Sequence, residues 1–278
     1  MMESAVVPLT ALGGLAAVLY FVAGGLSGLR WSKASGALSH PPHYKLPLIV
    51  LGWLAVLLHG VTLLEVIVVP EGLNMAFFNA LSLTTWFIAV LLLLLTLAWP
   101  LENLGVVLLP LSGASLLLAL AFPARHIVAD TIPWQLELHI ALSIVAYGLL
   151  TLATTQGVLV GYQDRRLRQR RPKGLVGRLP PLTAMEAVLF QLMGAGFAVL
   201  SLALLSGLFF LQDIFAQSLV HKTVLSFLAW GLFGVLLWGR WHFGWRGRTV
   251  SRWLVGGFCT LALGYFGSKF VLELILGR

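Results

Sequence analysis

Eight stretches of the chain stay apolar for roughly the ~20 residues that an α-helix needs to cross a hydrocarbon core. They run from Val6 to Leu26, Leu46 to Val69, Ala76 to Ala98, Leu104 to Phe122, Leu138 to Tyr162, Ala184 to Leu211, Val224 to Trp238 and Trp253 to Ile275. Backbone polar groups find no water in lipid and must be satisfied within the segment, so such runs fold as helices. The expected class is all-α, a polytopic membrane helix bundle of about eight transmembrane helices forming one domain over residues 1–278. Composition agrees: 10% of the residues are charged and 59% hydrophobic, with a mean hydropathy of +0.94. A soluble domain carries about 25% charge. This chain cannot cover a surface facing water.

The net charge of +8 would point to nucleic acid in a soluble protein. Here the cations sit between apolar runs. Arg30, Lys33 and Lys45 follow the first run; Arg165, Arg166, Arg168, Arg170, Arg171, Lys173 and Arg178 follow the fifth; Arg240, Arg246, Arg248 and Arg252 follow the seventh. These three loops hold 14 of the 18 basic residues. Cytoplasmic loops retain Lys and Arg, which places both termini outside and the basic loop 164–181 in the cytoplasm, with no nucleic-acid partner. Pro172, Pro180 and Pro181 discourage a continuous helix there, and the loop divides the chain into five helices and three. Met1-Met2-Glu3 offers no basic leader, so the first run reads as a retained helix. The seventh run is short unless Lys222 snorkels at one end and Arg240 closes the other.

Ionisable residues inside spans mark function by default. Glu65, Lys269 and Glu273 lie near the outward ends, and Lys269 and Glu273, four apart, pair on one helix face. Glu186, at the inner end of the sixth run, is the nearest approach to a mid-membrane carboxylate. Cys259, buried in the last run, can form no intrachain disulfide, and no CxxC exists for dithiol exchange or covalent heme attachment.

Histidine is more informative. His40, His43 and His126 read as solvated loop residues, and His242 lies in an interfacial aromatic turn. His139 and His221 begin the fifth and seventh helices, at one depth near the outer face, while His59 lies near mid-span in the second. A lone imidazole in hydrocarbon is costly without a partner. Each of the three can be satisfied by a hydroxyl or carbonyl on a neighbouring helix. Taken together, without Cys or Asp beside them, they favour a flat aromatic cofactor ligated by imidazole, and heme iron accepts one or two His. Trp53, Trp86, Trp134, Trp230 and Trp253 could line its pocket, although interfacial anchoring explains most membrane Trp.

The run Trp134, His139, Ser143, Tyr147 resembles the W-x4-H-x3-S-x3-Y opening of a helix in the cytochrome c assembly proteins, the CcsA, CcmC and HemX-like heme-handling proteins. His221-Lys222-Thr223, Trp230 and Gly244-Trp245-Arg246-Gly247 resemble that family's C-terminal half, and Tyr265-Phe266-Gly267-Ser268-Lys269-Phe270 is similar to the ending of its YpjD branch. The resemblance implies a bacterial inner-membrane protein that handles heme without catalysis. It makes His139 a heme ligand, with His59 in the place of a His within the membrane. Two departures stand out. The family's WGxxWxWD motif is replaced by Asp213-Ile214-Phe215-Ala216-Gln217-Ser218-Leu219-Val220, and no His follows the last helix. His221 takes the second ligand's place in our reading, with Lys222, Arg125 or Lys269 neutralising heme propionates. The cofactor-binding set is then His139, His221, His59, Trp134, Tyr147 and Lys222, with His139 and His221 on the metal. Partners would be heme, the lipid bilayer and other membrane or cytochrome c maturation proteins. The alternatives are an accessory protein of the same fold that has lost heme delivery, and a small-solute transporter.

Overall fold

The computed structural model describes residues 3–33, 46–128, 133–170, 176–177, 179–210 and 220–276. Among the described residues, eight helices are long and apolar enough to span a membrane. They are α1 (Glu3–Lys33), α2 (Leu46–Ile67), α3 (Phe77–Thr96), α4 (Gly105–Ala121), α5 (Trp134–Arg168), α6 (Leu182–Phe210), α7 (Val220–Phe243) and α8 (Gly247–Ala262). α8 runs on to Ile275 through two π-helical turns, Leu263–Gly267 and Val271–Ile275. Three short strands, β1 (Val68–Val69), β2 (Gly72–Asn74) and β3 (Ile127–Val128), pair antiparallel in the order β1-β2-β3.

α1, α5 and α7 outrun their apolar stretches, whereas α2, α3 and α4 fall a little short of theirs. α5 begins at Trp134 rather than Leu138 and continues through Asp164 to Arg168, so the head of the expected basic loop is helical. α7 contains both Lys222 and Arg240 and reaches 24 residues. Backbone hydrogen bonding does not stop where hydropathy falls, because interfacial Trp, Lys and Arg carry a helix into the headgroup layer. Within the rest of the loop, residues 171–175 and 178 lie outside the described residues, as do His40 and His43.

Two compact units emerge, Met1–Thr131 and Ile132–Arg278. The division falls before α5 and not after it, giving four helices and four. The reason is packing: α5 is seated on α6 and α8. Helix contacts in the second unit run in a ring, α5 to α6 to α7 to α8 and back to α5, which sets α5 and α7 on a diagonal. Small residues allow the close approaches. A Cβ on Gly196 would stand 2.9 Å from Leu150, and one on Gly157 would stand 2.6 Å from Leu254, the crowding expected where helices meet in lipid.

The first unit packs α1 on α2 and α4, and α3 on α2 and α4. The connection after α2 and the one after α4 are tied by Asn74, whose amide donates to Ala124 O (3.0 Å) and whose Oδ1 accepts from His126 N (3.0 Å). His126 is exposed in the loop just before β3, as expected, with its backbone held there. Cys259, expected inside, is exposed on the outer surface of α8.

Candidate functional site

α5 starts after Pro133, whose extended ψ of 140° turns the chain into the helix. Glu137 in the first turn complements the positive end of the helix dipole. His139, Ser143 and Tyr147 follow at i, i+4 and i+8, and so share one stripe. Ser143 Oγ donates to His139 O at 2.7 Å, fixing this turn. Tyr147, two turns deeper, sits against Phe258 (5.4 Å between ring centres) and Phe266 (5.6 Å). Trp134 is 62% exposed at the helix start.

The His139 ring is half-buried and turned toward α6. Its Nδ1 lies 2.9 Å from Ala203 O and 3.1 Å from Ser206 Oγ. A carbonyl oxygen only accepts, so Nδ1 carries the proton. The Ser206 hydroxyl gives its own hydrogen to Ala203 O at 2.8 Å, which leaves its oxygen free to accept from the same imidazole N–H. In the neutral ring the lone pair then rests on Nε2. Metal-ligating histidines are commonly prepared in this way, with the far nitrogen donating to a carbonyl that fixes tautomer and orientation. Neither Ala203 nor Ser206 was signalled by the sequence: the contact joins residues 64 and 67 apart.

His221 occupies the first turn of α7 and is exposed, at the same end of the unit as His139. Lys222 is half-buried beside the C-terminal turns of the α8 continuation, where its carbonyl stands 3.6 Å from the position of a Cβ on Gly264. Lys269 and Glu273 pair there as expected, both largely buried. Among the described residues of this end, that engagement leaves Lys222 as the cation with the freer charge.

His59 belongs to the first unit and is fully buried. Its Nε2 meets Ser82 Oγ at 2.8 Å and its Nδ1 meets Tyr20 OH at 3.3 Å. Both ring nitrogens are taken, so the geometry gives His59 the task of joining α1, α2 and α3. Arg125, Trp53 and Trp86 are also in the first unit, and the Trp86 indole donates to Val56 O (2.8 Å). In the second unit Trp230 stacks on Phe197 (5.5 Å) and donates to Ser201 Oγ (2.8 Å). His242 is exposed, within 5.0 Å of the Trp238 and Trp241 rings, an interfacial cluster. Among the described residues no three His, Cys, Asp or Glu side chains gather around a point.

The basic end of the second unit is organised by a turn the sequence marked only as a motif. Gly244 (φ 63°) and Gly247 (φ 56°) adopt left-handed conformations that favour glycine. Trp245 between them packs over Gly239, where a Cβ would meet its ring at 2.4 Å. Glu186, buried on α6, accepts from Gly247 N at 3.1 Å and faces Arg246 Nε at 3.6 Å. It caps the N-terminus of α8, a favourable place for a carboxylate. Asp164 of α5, held by Arg168 at 3.0 Å, flanks the same turn. Glu186 is therefore committed to the α6–α8 junction.

The sequence profile described as Cytochrome C assembly protein matches residues 48–276. The Inner membrane protein YpjD of Escherichia coli (strain K12) is 33% identical over 230 residues, covering 80% of this chain and 85% of that protein. An uncharacterised 28.8 kDa protein from the nifR3-like 5′ region of Azospirillum brasilense is 35% identical over 182 residues, 65% of this chain and 67% of its own length. Protein HemX of Brevibacillus brevis is 24% identical over 131 residues, 46% of this chain and 48% of that protein. No solved structure matches the chain.

Proposed function

The chain belongs to the cytochrome c assembly protein family as a multi-pass inner-membrane protein, and from that premise we propose that its second unit binds and handles heme at the outward end, without catalysing a reaction. One observation carries the reading: the His139 imidazole is fixed by Ala203 O and Ser206 Oγ in the tautomer that leaves Nε2 as a lone-pair donor. Bound there, heme would supply an iron that accepts axial imidazoles and two anionic propionates.

His221, on the diagonal helix at the same end, is the candidate second ligand. Lys222 is the candidate propionate partner, since Lys269 is already engaged by Glu273. Tyr147 and its neighbours Phe258 and Phe266, packed edge to face, supply an aromatic wall two turns deeper, and Trp134 stands at the rim. His59, with both nitrogens bonded in the first unit, takes no part. The stretch 213–219, where the family's Trp-rich motif would fall, lies outside the described residues. The proposal accordingly covers holding heme and leaves its presentation to apocytochrome aside.

The test is an absorption spectrum of the detergent-purified full chain from heme-replete cells, oxidised and reduced. A Soret band is expected, lost in His139→Ala. His221→Ala should keep a band shifted toward the five-coordinate form. A protein with no Soret band, or one whose band survives His139→Ala/His221→Ala unchanged, overturns the reading.

A further inference from the structure

On the outer surface of α7 and α8, at the basic end of the second unit, an open groove of about 340 Å³ is lined by Leu232, Arg252, Trp253, Gly256 and Thr260. That size is at the lower end of the ~300–1,000 Å³ of small-ligand sites. We propose that this groove holds one anionic phospholipid of the cytoplasmic leaflet, its phosphate on Arg252 and one acyl chain lying along α8.

The geometry supplies each part. Arg252 and Thr260 are eight residues apart, about 12 Å along a helix at 1.5 Å per residue, most of the depth of one leaflet in a core ~30 Å thick. The cationic end is at the surface and the remainder points inward, the order in which a lipid presents itself. Arg252 is exposed, and among the described residues it has no hydrogen-bond or ion-pair partner. Its guanidinium therefore lies at headgroup depth with its donors unassigned, and a phosphate diester matches that fork.

The floor is Gly256, beside which a Cβ would meet nothing within 4 Å. The helix surface is recessed there because the side chain is missing, and not because a neighbour fills the space. Thr260 donates its hydroxyl to Gly256 O at 2.9 Å, so the deep end makes no further polar demand. Trp253, 42% exposed and stacked with Trp245 at 6.3 Å, forms a wall at the level where Trp rings settle in a bilayer. Arg248, one turn earlier on α8, adds positive potential but does not line the groove. A soluble acidic partner would have no use for a recess continuing into the apolar layer, which sets the occupant as a lipid.

The experiment is native mass spectrometry of the full chain released from nanodiscs containing equal phosphatidylglycerol and phosphatidylcholine. One retained phosphatidylglycerol per protein is expected. Arg252→Gln should lower that occupancy about five-fold, as is usual for one basic residue near an anionic surface. Gly256→Leu should lower it comparably while leaving the charge intact, and Arg248→Gln should change it less than two-fold. Excess inorganic phosphate should not displace the lipid. Far-UV circular dichroism checks that each variant is folded. Equal retention of phosphatidylcholine, equal losses from Arg248→Gln and Arg252→Gln, or full occupancy in folded Gly256→Leu would each overturn the assignment.

Discussion

Gly247→Ala probes the junction at the basic end, and its cost can be worked from two distances and one angle. At φ 56° an alanine pays about 1–2 kcal/mol for the left-handed conformation. The new Cβ would also lie 2.7 Å from Asp164 Oδ2 and 2.8 Å from Asp164 Cγ. That carboxylate is largely buried and so has limited room to retreat, although its partner Arg168, whose Nε donates to both oxygens at 3.0 and 3.1 Å, is exposed. Overpacking of this kind costs about 1–3 kcal/mol. The sum, about 2–5 kcal/mol, would appear in equilibrium unfolding of the detergent-solubilised protein titrated with SDS and followed by far-UV circular dichroism. Asp164→Ala in the same background removes the obstruction but not the backbone penalty, so the two changes should couple by ~1 kcal/mol or more in a double-mutant cycle. A Gly247→Ala variant within ~0.5 kcal/mol of the parent, or strictly additive changes, would refute this account of the turn.

Two further outcomes concern the histidine and the ion pair that the sequence placed among site candidates. His59→Leu should destabilise the protein by about 1–3 kcal/mol in the same assay, because Tyr20 OH and Ser82 Oγ lose their partner in a fully buried position; it should leave any Soret band unmoved, and loss of the band would return His59 to the ligand set. Lys269→Met strands the Glu273 carboxylate at a largely buried site and should cost about 3 kcal/mol. Lys269→Met/Glu273→Gln should recover most of that loss, and a double variant as unstable as the single would show that the loss does not come from the stranded carboxylate.

Spans, class and family were legible in the sequence because each rests on local information: apolar run length, Lys and Arg bias, and spaced motif residues read from one helix. What escaped depends on which helix faces which. The unit boundary is one instance, since Pro-rich residues 172–181 looked like the seam while α5 in fact packs forward onto α6 and α8. Glu186 is another. Its position near the inner end of α6 was visible, but its partner Gly247 is 61 residues away, and only glycine at a positive φ brings that N–H within reach.

His59 and His139 illustrate the same limit most sharply, because residue type and a place within a span made both candidates while their partners set them apart. His59 meets two hydroxyls, groups that can donate or accept, so either tautomer satisfies it and no nitrogen is left over. His139 meets a carbonyl, which can only accept, and a serine whose hydrogen already goes to that carbonyl. The first environment absorbs an imidazole, and the second polarises one toward Nε2. Ser206→Ala separates these roles within the proposed site. It keeps the Ala203 bond and the ring, removing only the second acceptor. If Nε2 ligates iron, the Soret band should persist while the reduction potential rises, because a less supported Nδ1–H makes Nε2 a weaker donor. If His139 is packing alone, the substitution should alter stability by about 1 kcal/mol and leave any heme spectrum and potential where they were, and that result would remove the reason for assigning His139 to the metal.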